Sequence, residues 1–258
     1  MNVLLLTDFS SGAKHAHKYA LNLFADTEVD YFLLHSNYEG PKFKISNDLQ
    51  LEHEVIEYKK WDSNRSKFTS VSTSNSLIDA IRNMMKSHPI DLVVMGANGD
   101  SQEKSNNSLG HNTESIATKI KCPVLIVFQR SIIKIPVNVA FPIDYIDILK
   151  VSCIEKLKTL PNSHRFTIEV IEINARDSAP FANKITKNNL KRGLEPLTMN
   201  FKKENDLNIE CLETIDKKGF DLISFGAKNL SVYNLLFDQL KNINESKLLQ
   251  PPLYILHA

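Results

Sequence analysis

Asp91-Leu92-Val93-Val94-Met95-Gly96-Ala97-Asn98-Gly99 and Asp221-Leu222-Ile223-Ser224-Phe225-Gly226-Ala227-Lys228-Asn229 are two versions of one phrase, 130 residues apart. Each is an acid, a short and mostly apolar run, and a glycine. Such a run is short for a helix and reads as a buried parallel strand that ends in a loop. The surroundings repeat too. Pro123-Val124-Leu125-Ile126-Val127 returns as Pro252-Leu253-Tyr254-Ile255-Leu256, 129 residues on. The opening run, Val3 to Asp8, returns between Val137 and Asp144; 166–173 mirrors 29–34, and 204–218 mirrors 75–87. Landmarks that recur in one order at nearly one offset mark an internal duplication. The expected domains are 1–130 and 135–258, joined by a linker at 129–134. Each is of ordinary domain size and can bury a core of its own.

Within the first copy, the apolar run from Asn2 to Thr7 is a strand, and Ser10 or Ser11 caps a helix carrying Ala13, Ala16, Ala20 and Leu23 at helical spacing. A second strand runs from Val29 to Leu34. Strand, helix and strand in about 35 residues form a βαβ unit, so the sheet is expected to be parallel with right-handed crossovers. Residues 48–60 show weak helical spacing through Leu51, Val55 and Tyr58, and 67–72 alternates as a strand. Residues 75–87 are an amphipathic helix, with Leu77, Ile78, Ile81, Met84 and Met85 on one side and His88-Pro89 ending it.

Bulk composition narrows the function. The chain is 42% hydrophobic and 24% charged, which is globular. A net charge of +1 gives no general electrostatic case for nucleic acid or an anionic membrane. No apolar run reaches the about 20 residues of a membrane helix. The apolar start meets Asp8 at once and lacks a basic leader, so it reads as a strand. Cys122, Cys153 and Cys211 are far apart and form neither a CxxC pair nor a zinc spacing. A cytoplasmic location is expected.

The chemistry-bearing stretch is 91–128. Gly96 and Gly99 follow the strand, and Gly110 opens a helix with Asn112 or Thr113 placed to cap it. Strand, glycine loop and helix N-terminus is an order that holds a phosphate, because free N–H groups and the helix dipole both face the anion. Each feature also has a plainer reading: a tight turn for the glycines, a helix cap for Asp8, Asn112 and Thr113. His15 and His17 lie two apart and cannot chelate from one helix face; His35 packs at a strand end, and Cys122 is a small buried hydrophobe. No metal site is expected. There is no nucleophile elbow, no Ser/His/Asp set and no Walker loop, so no group is identified as catalytic.

These residues resemble the universal stress protein family in a tandem two-domain arrangement. The resemblance rests on Val3 to Asp8, on Gly96-x-x-Gly99, on Leu109-Gly110-His111-Asn112-Thr113-Glu114 and on Cys122-Pro123-Val124-Leu125-Ile126-Val127. It implies an α/β fold of two repeated, doubly wound, five-stranded parallel-sheet domains, of the adenine nucleotide alpha hydrolase-like type. It implies ATP or another adenine nucleotide as ligand, with Mg only as a companion of ATP. Carried onto this chain, Asp8 would meet base or ribose, Ser36 and Met95 would line the base pocket, and Gly96, Gly99, Gly110, His111, Asn112 and Thr113 would meet phosphates. His111 stands where the family has a small hydroxyl residue, and the loop at 100–109 sets Asp100 and Glu103 against Lys104. The second copy keeps Asp144 and Gly226 but has Asn229 for the second glycine and no third; Leu235, Leu236, Phe237 and Leu240 follow instead. The first domain alone is therefore expected to hold nucleotide.

The resemblance also implies pairing through the last strands, 124–128 with 253–257, as an intrachain pseudo-dimer, and leaves room for a homodimer. Covering two apolar edges gives that pairing a physical motive. The leading expectation is a non-catalytic, nucleotide-responsive stress-response protein, with partners that include neither nucleic acid nor membrane. The alternatives are a nucleotide-independent interaction scaffold with both pockets vestigial, and a weak ATPase.

Overall fold

The computed structural model describes residues 1–37, 44–62, 66–98, 111–146, 148–173, 180–204, 219–228 and 251–257. One compact unit ends at Gln129 and a second begins at Arg130.

The first unit runs β1 (Asn2–Leu6), α1 (Ser11–Leu23), β2 (Asp30–Ser36), α2 (Lys44–Trp61), β3 (Lys67–Thr73), α3 (Leu77–Ser87), β4 (Leu92–Gly96), α4 (His111–Lys119) and β5 (Val124–Val127). Its strands lie in the order β3-β2-β1-β4-β5, every pair parallel. The chain winds outward from β1 to β3, then returns to the other side of β1 for β4 and β5. That reversal opens a crevice at the carboxyl ends of β1 and β4, the usual place for a ligand in such sheets. Val3, Leu4 and Leu5 of β1 and Leu92, Val93 and Val94 of β4 are fully buried. Helices cover both faces of these central strands, which is why they read as unbroken apolar runs.

The second unit runs β6 (Asn138–Ile143), α5 (Val151–Ile154), β7 (Thr167–Ile173), α6 (Pro180–Leu194), β8 (Thr198–Glu204), β9 (Leu222–Gly226) and β10 (Leu253–Leu256), with short 3-10 turns at Glu155–Thr159 and Ser163–Arg165. Its order is β8-β7-β6-β9-β10, again all parallel. Both units are therefore doubly wound five-stranded sheets of the same order.

The repeated aspartate that opens the duplicated phrase has a job in each copy. The Asp91 N–H donates to the Asn2 carbonyl at 2.9 Å, and Asp91 Oδ2 accepts the Asn2 N–H at 2.8 Å. In the second copy the Asp221 N–H donates to the Asn138 carbonyl at 2.8 Å, while its Oδ2 accepts from Val137 N (2.9 Å) and Asn138 N (2.8 Å). One residue thus locks the start of the fourth strand to the start of the first. Lys134 completes the second clamp with an ion pair to Asp221. Burial alone would raise the Asp221 carboxyl; the Asn138 N–H, Lys134 and the Val137 N–H outweigh it and hold the group below its ordinary value.

Two expectations change, while helix α6 and strand β8 supply the crossover helix and third strand that a five-stranded second copy requires. Helix α4 begins at His111, so Asn112 and Thr113 lie inside its first turn and are not its cap. Helix α2 begins at Lys44, earlier than 48, although Leu51, Val55 and Tyr58 form its buried face as the spacing predicts. The helix expected at 204–218, the acidic loop at 100–109 and the apolar cluster around Leu235 lie outside the described residues. Among the described residues no helix is long and apolar enough to cross a membrane.

Asp221→Asn keeps the shape of the clamp and removes its charge. At neutral pH it should destabilise the protein by about 1–3 kcal/mol, the range for a hydrogen-bonded charged group, read from urea midpoints. A depressed carboxylate contributes stability above its unfolded pKa and loses it as pH falls through the folded one. The gap between the two proteins should therefore close below about pH 4.

Candidate functional site

The turn after β1 shapes the crevice. Asp8 is exposed, and its Oδ1 accepts the Ser10 N–H at 3.1 Å. Phe9 adopts a left-handed conformation with φ of 67°. Ser10 then caps α1, its hydroxyl oxygen accepting the Ala13 N–H at 3.1 Å. The small residues that follow let α1 lie almost on the backbone of β4. A Cβ at Gly96 would sit 2.9 Å from the Gly12 carbonyl carbon and 3.1 Å from Ala13 N. No side chain fits between them.

Helix α4 approaches the same place. Thr113 is 2% exposed, and its hydroxyl donates to the Ala97 carbonyl at 3.0 Å and, at 3.4 Å, to Gly96. Two helix N-termini, of α1 and of α4, therefore meet at the carboxyl end of β4. Each brings orphan N–H groups and the positive end of its dipole, which together favour an anion. Among the described residues, no group of three His, Cys, Asp or Glu is placed to hold a metal ion.

The expected site residues fall into three sets. Asp8, Ser36, Met95 and Gly96 all end or follow β1, β2 and β4, at the carboxyl edge of the first sheet. The Ser36 hydroxyl donates to the Asn75 carbonyl at 2.7 Å. Met95 is 5% exposed. Asn112 is exposed in the first turn of α4, whereas the Thr113 hydroxyl faces inward. Gly99 and Gly110 lie outside the described residues, and of His111 only its place at the start of α4 is described.

Sequence reasoning missed the layer beneath the turn. The Thr7 hydroxyl accepts the Phe9 N–H at 3.0 Å and donates to Glu54 Oε2 at 3.3 Å. Glu54, on α2, is 1% exposed. The Tyr58 hydroxyl lies 3.2 Å from Glu54 Oε2 and 2.8 Å from His17 Nδ1. His17 Nε2 lies 2.9 Å from the Leu6 carbonyl. Lys14 Nζ approaches Glu54 Oε1 at 3.7 Å. Burial drives the His17 pKa down to about 4, against the pull of the Leu6 carbonyl. Burial also raises the Glu54 carboxyl, against Lys14, Tyr58 and Thr7. From the other side, His35 Nδ1 donates to the Thr7 carbonyl at 2.8 Å and its ring lies 4.4 Å from that of Phe9. Its other nitrogen accepts from Asn47 at 3.3 Å, which fixes the tautomer.

The second unit repeats the turn but closes the space differently. Asp144 Oδ1 accepts the Ile146 N–H at 3.1 Å, and Tyr145 takes the left-handed φ of 59°. The Tyr145 hydroxyl donates to Glu172, which is 2% exposed and pairs with Lys187 at 2.6 Å. The Lys187 ammonium lies 5.6 Å from the Tyr145 ring and 5.8 Å from that of Phe201. Leu149 presses on the end of β9: a Cβ at Gly226 would be 2.6 Å from its Cδ1. The first helix here is only Val151–Ile154.

Gly96→Ala puts a methyl against backbone that cannot turn aside. It should cost about 1–3 kcal/mol in thermal unfolding. Thr113→Val, which only strips hydrogen bonds to the Ala97 and Gly96 carbonyls, should cost about 1 kcal/mol.

The sequence model of the Universal stress protein family matches residues 1–127. Among solved structures, the universal stress protein from Archaeoglobus fulgidus DSM 4304 is similar over 98% of this chain and 97% of its own, with 14% identity and a TM-score of 0.70. A protein from Pseudomonas aeruginosa UCBPP-PA14, provisionally described as a universal stress protein, is similar over 99% of this chain and 92% of its own, with 12% identity and a TM-score of 0.60. At these identities the likeness is one of fold. No curated protein matches the chain.

Proposed function

We propose, on the match of residues 1–127 to the universal stress protein family, that the chain is a non-catalytic, stress-related receptor for an adenine nucleotide with one site, in the first unit. The observation that carries this reading is the meeting of the α1 and α4 N-termini at the carboxyl end of β4. A di- or triphosphate is the anion suited to two such ends at once. The exposed Asp8 carboxylate, held by the Ser10 N–H, is a hydrogen-bond acceptor for ribose hydroxyls or an adenine amino group. Ser36 and Met95 stand at the base side. Gly99, Gly110 and the first turn of α4, with Asn112, take the phosphates. Thr113 spends its hydroxyl on Ala97 and Gly96, so its part is to seat α4. Magnesium, where ATP is the ligand, would arrive on the phosphates.

The second unit supports a single site. Its β9 end lies under Leu149, and Tyr145, Glu172 and Lys187 satisfy one another. That unit serves as a structural and interaction half. The competing reading, a nucleotide-independent scaffold, extends the same self-filling to both units.

Freshly purified protein should release an adenine nucleotide on denaturation, identified by mass spectrometry, and should bind ATP, ADP or AMP in calorimetry. Gly110→Val should abolish binding by a protein that remains folded by circular dichroism. Neither released nucleotide nor heat at millimolar ligand would leave the scaffold reading standing.

A further inference from the structure

Phe9 and Tyr145 are aromatic at positions whose backbone favours glycine. Each follows the aspartate after the first strand of its unit, and each takes a left-handed φ, of 67° and 59°. That conformation is strained for a bulky side chain, so something in the surroundings has to offset it. In the second unit the offset is visible. Tyr145 is 2% exposed, its hydroxyl donates to Glu172, and the Lys187 ammonium lies 5.6 Å from its ring.

The same position in the first unit is left open. Phe9 has no hydroxyl and is half-buried. Its neighbour is the His35 ring, 4.4 Å away and tilted by 38°. Strand register makes His35 the counterpart of Glu172. Strand β2 begins at Asp30 opposite Asn2, β7 begins at Thr167 opposite Asn138, and both residues are sixth in their strands. Both His35 nitrogens are engaged: Nδ1 donates to the Thr7 carbonyl at 2.8 Å, and Nε2 accepts from Asn47 at 3.3 Å. His35 is thereby fixed as a backing plate. Phe9 and His35 form an aromatic wall at the carboxyl ends of β1 and β2, next in the chain to Asp8 and Ser36.

We propose that Phe9 is the base-recognition residue of the nucleotide site: its ring, backed by His35, stacks on the adenine of the ligand whose ribose or amino group meets Asp8. The proposal rests on the nucleotide reading given above and adds an attraction for the face of the base. Offset stacking of two aromatic rings is favourable beyond the area it buries. A base laid on the open side of Phe9 supplies what Tyr145 obtains from Glu172 and Lys187. The second unit closes the equivalent ring from within, and so has no face to offer.

Four full-length proteins test this: wild type, Phe9→Tyr, Phe9→Leu and Phe9→Gly. Tyr keeps the aromatic face and Leu keeps bulk without it. Gly suits the left-handed backbone, so that variant should remain folded by circular dichroism. In calorimetry, ATP affinity should stay within about twofold of wild type for Tyr and fall about tenfold for Leu and Gly. Adenosine, which has no phosphates, should lose affinity by the same factor. In NMR spectra of the wild-type complex, adenine H2 or H8 should show a nuclear Overhauser contact to an aromatic ring that is lost in saturated Phe9→Leu. A purely structural role for Phe9 would lower affinity without that contact. Leu and Gly variants that bind as wild type does, a Tyr variant as weak as Gly, or absence of the contact overturns this proposal and leaves the receptor reading standing. Wild type with no affinity for any adenine nucleotide overturns both.

Discussion

The first unit is organised by a contact that leaves no room for a methyl group. Gly12 at the start of α1 lies against Gly96 at the end of β4, with backbone meeting backbone. Close-packed interiors do not yield to an added carbon, so this position fixes where the helix begins over the sheet. The Asp8–Phe9–Ser10 turn spans from the end of β1 to that point, with Phe9 at a left-handed φ of 67°. The α4 N-terminus joins through Thr113. The place where the winding of the sheet reverses is thereby surrounded by groups that suit an anion. The anion site is a product of packing before it is a matter of ligand contacts.

The two units show how much of this belongs to the fold and how much is particular to one half. Strand order, the aspartate clamp, the terminal glycine of the fourth strand and the left-handed residue after the first strand occur in both. They are the frame. What differs lies above the strand ends. In the first unit the terminal glycine meets helix backbone, and in the second it meets the Leu149 side chain. In the first unit a polar layer supports the turn from below; in the second Tyr145 itself reaches down to Glu172. Duplication preserved the scaffold, and side chains of the second copy took up the space above it.

The frame was legible in the sequence because buried parallel strands carry their signal within themselves: Val3–Leu6 and Leu92–Met95 are apolar without interruption. Helix α6 hid because its buried line is Thr186, Leu190, Gly193 and Leu194, in which a hydroxyl residue and a glycine break the apolar period. Strand β8 hid because it is an edge strand that leaves Phe201 exposed. In the site, Asp8 and Ser36 could be read from their places after strands. Tyr58 was legible as part of a buried face but not as a hydrogen-bonding group, and Glu54 on α2 and His17 on α1 look like surface until the two helices are brought together. The available sign was Glu54 itself, set between Leu51 and Tyr58 on the face that turns inward.

The account stands on nucleotide in the first unit and none in the second. Photolabelling the intact protein with an azido-adenine analogue of ATP, followed by peptide mapping, reads that directly. The account predicts label in peptides carrying Asp8, Ser36 or the stretch around Met95, removed by excess ATP, and none in peptides from residues 135–258. Label in the second unit that ATP competes away, or no competable label anywhere, would contradict it.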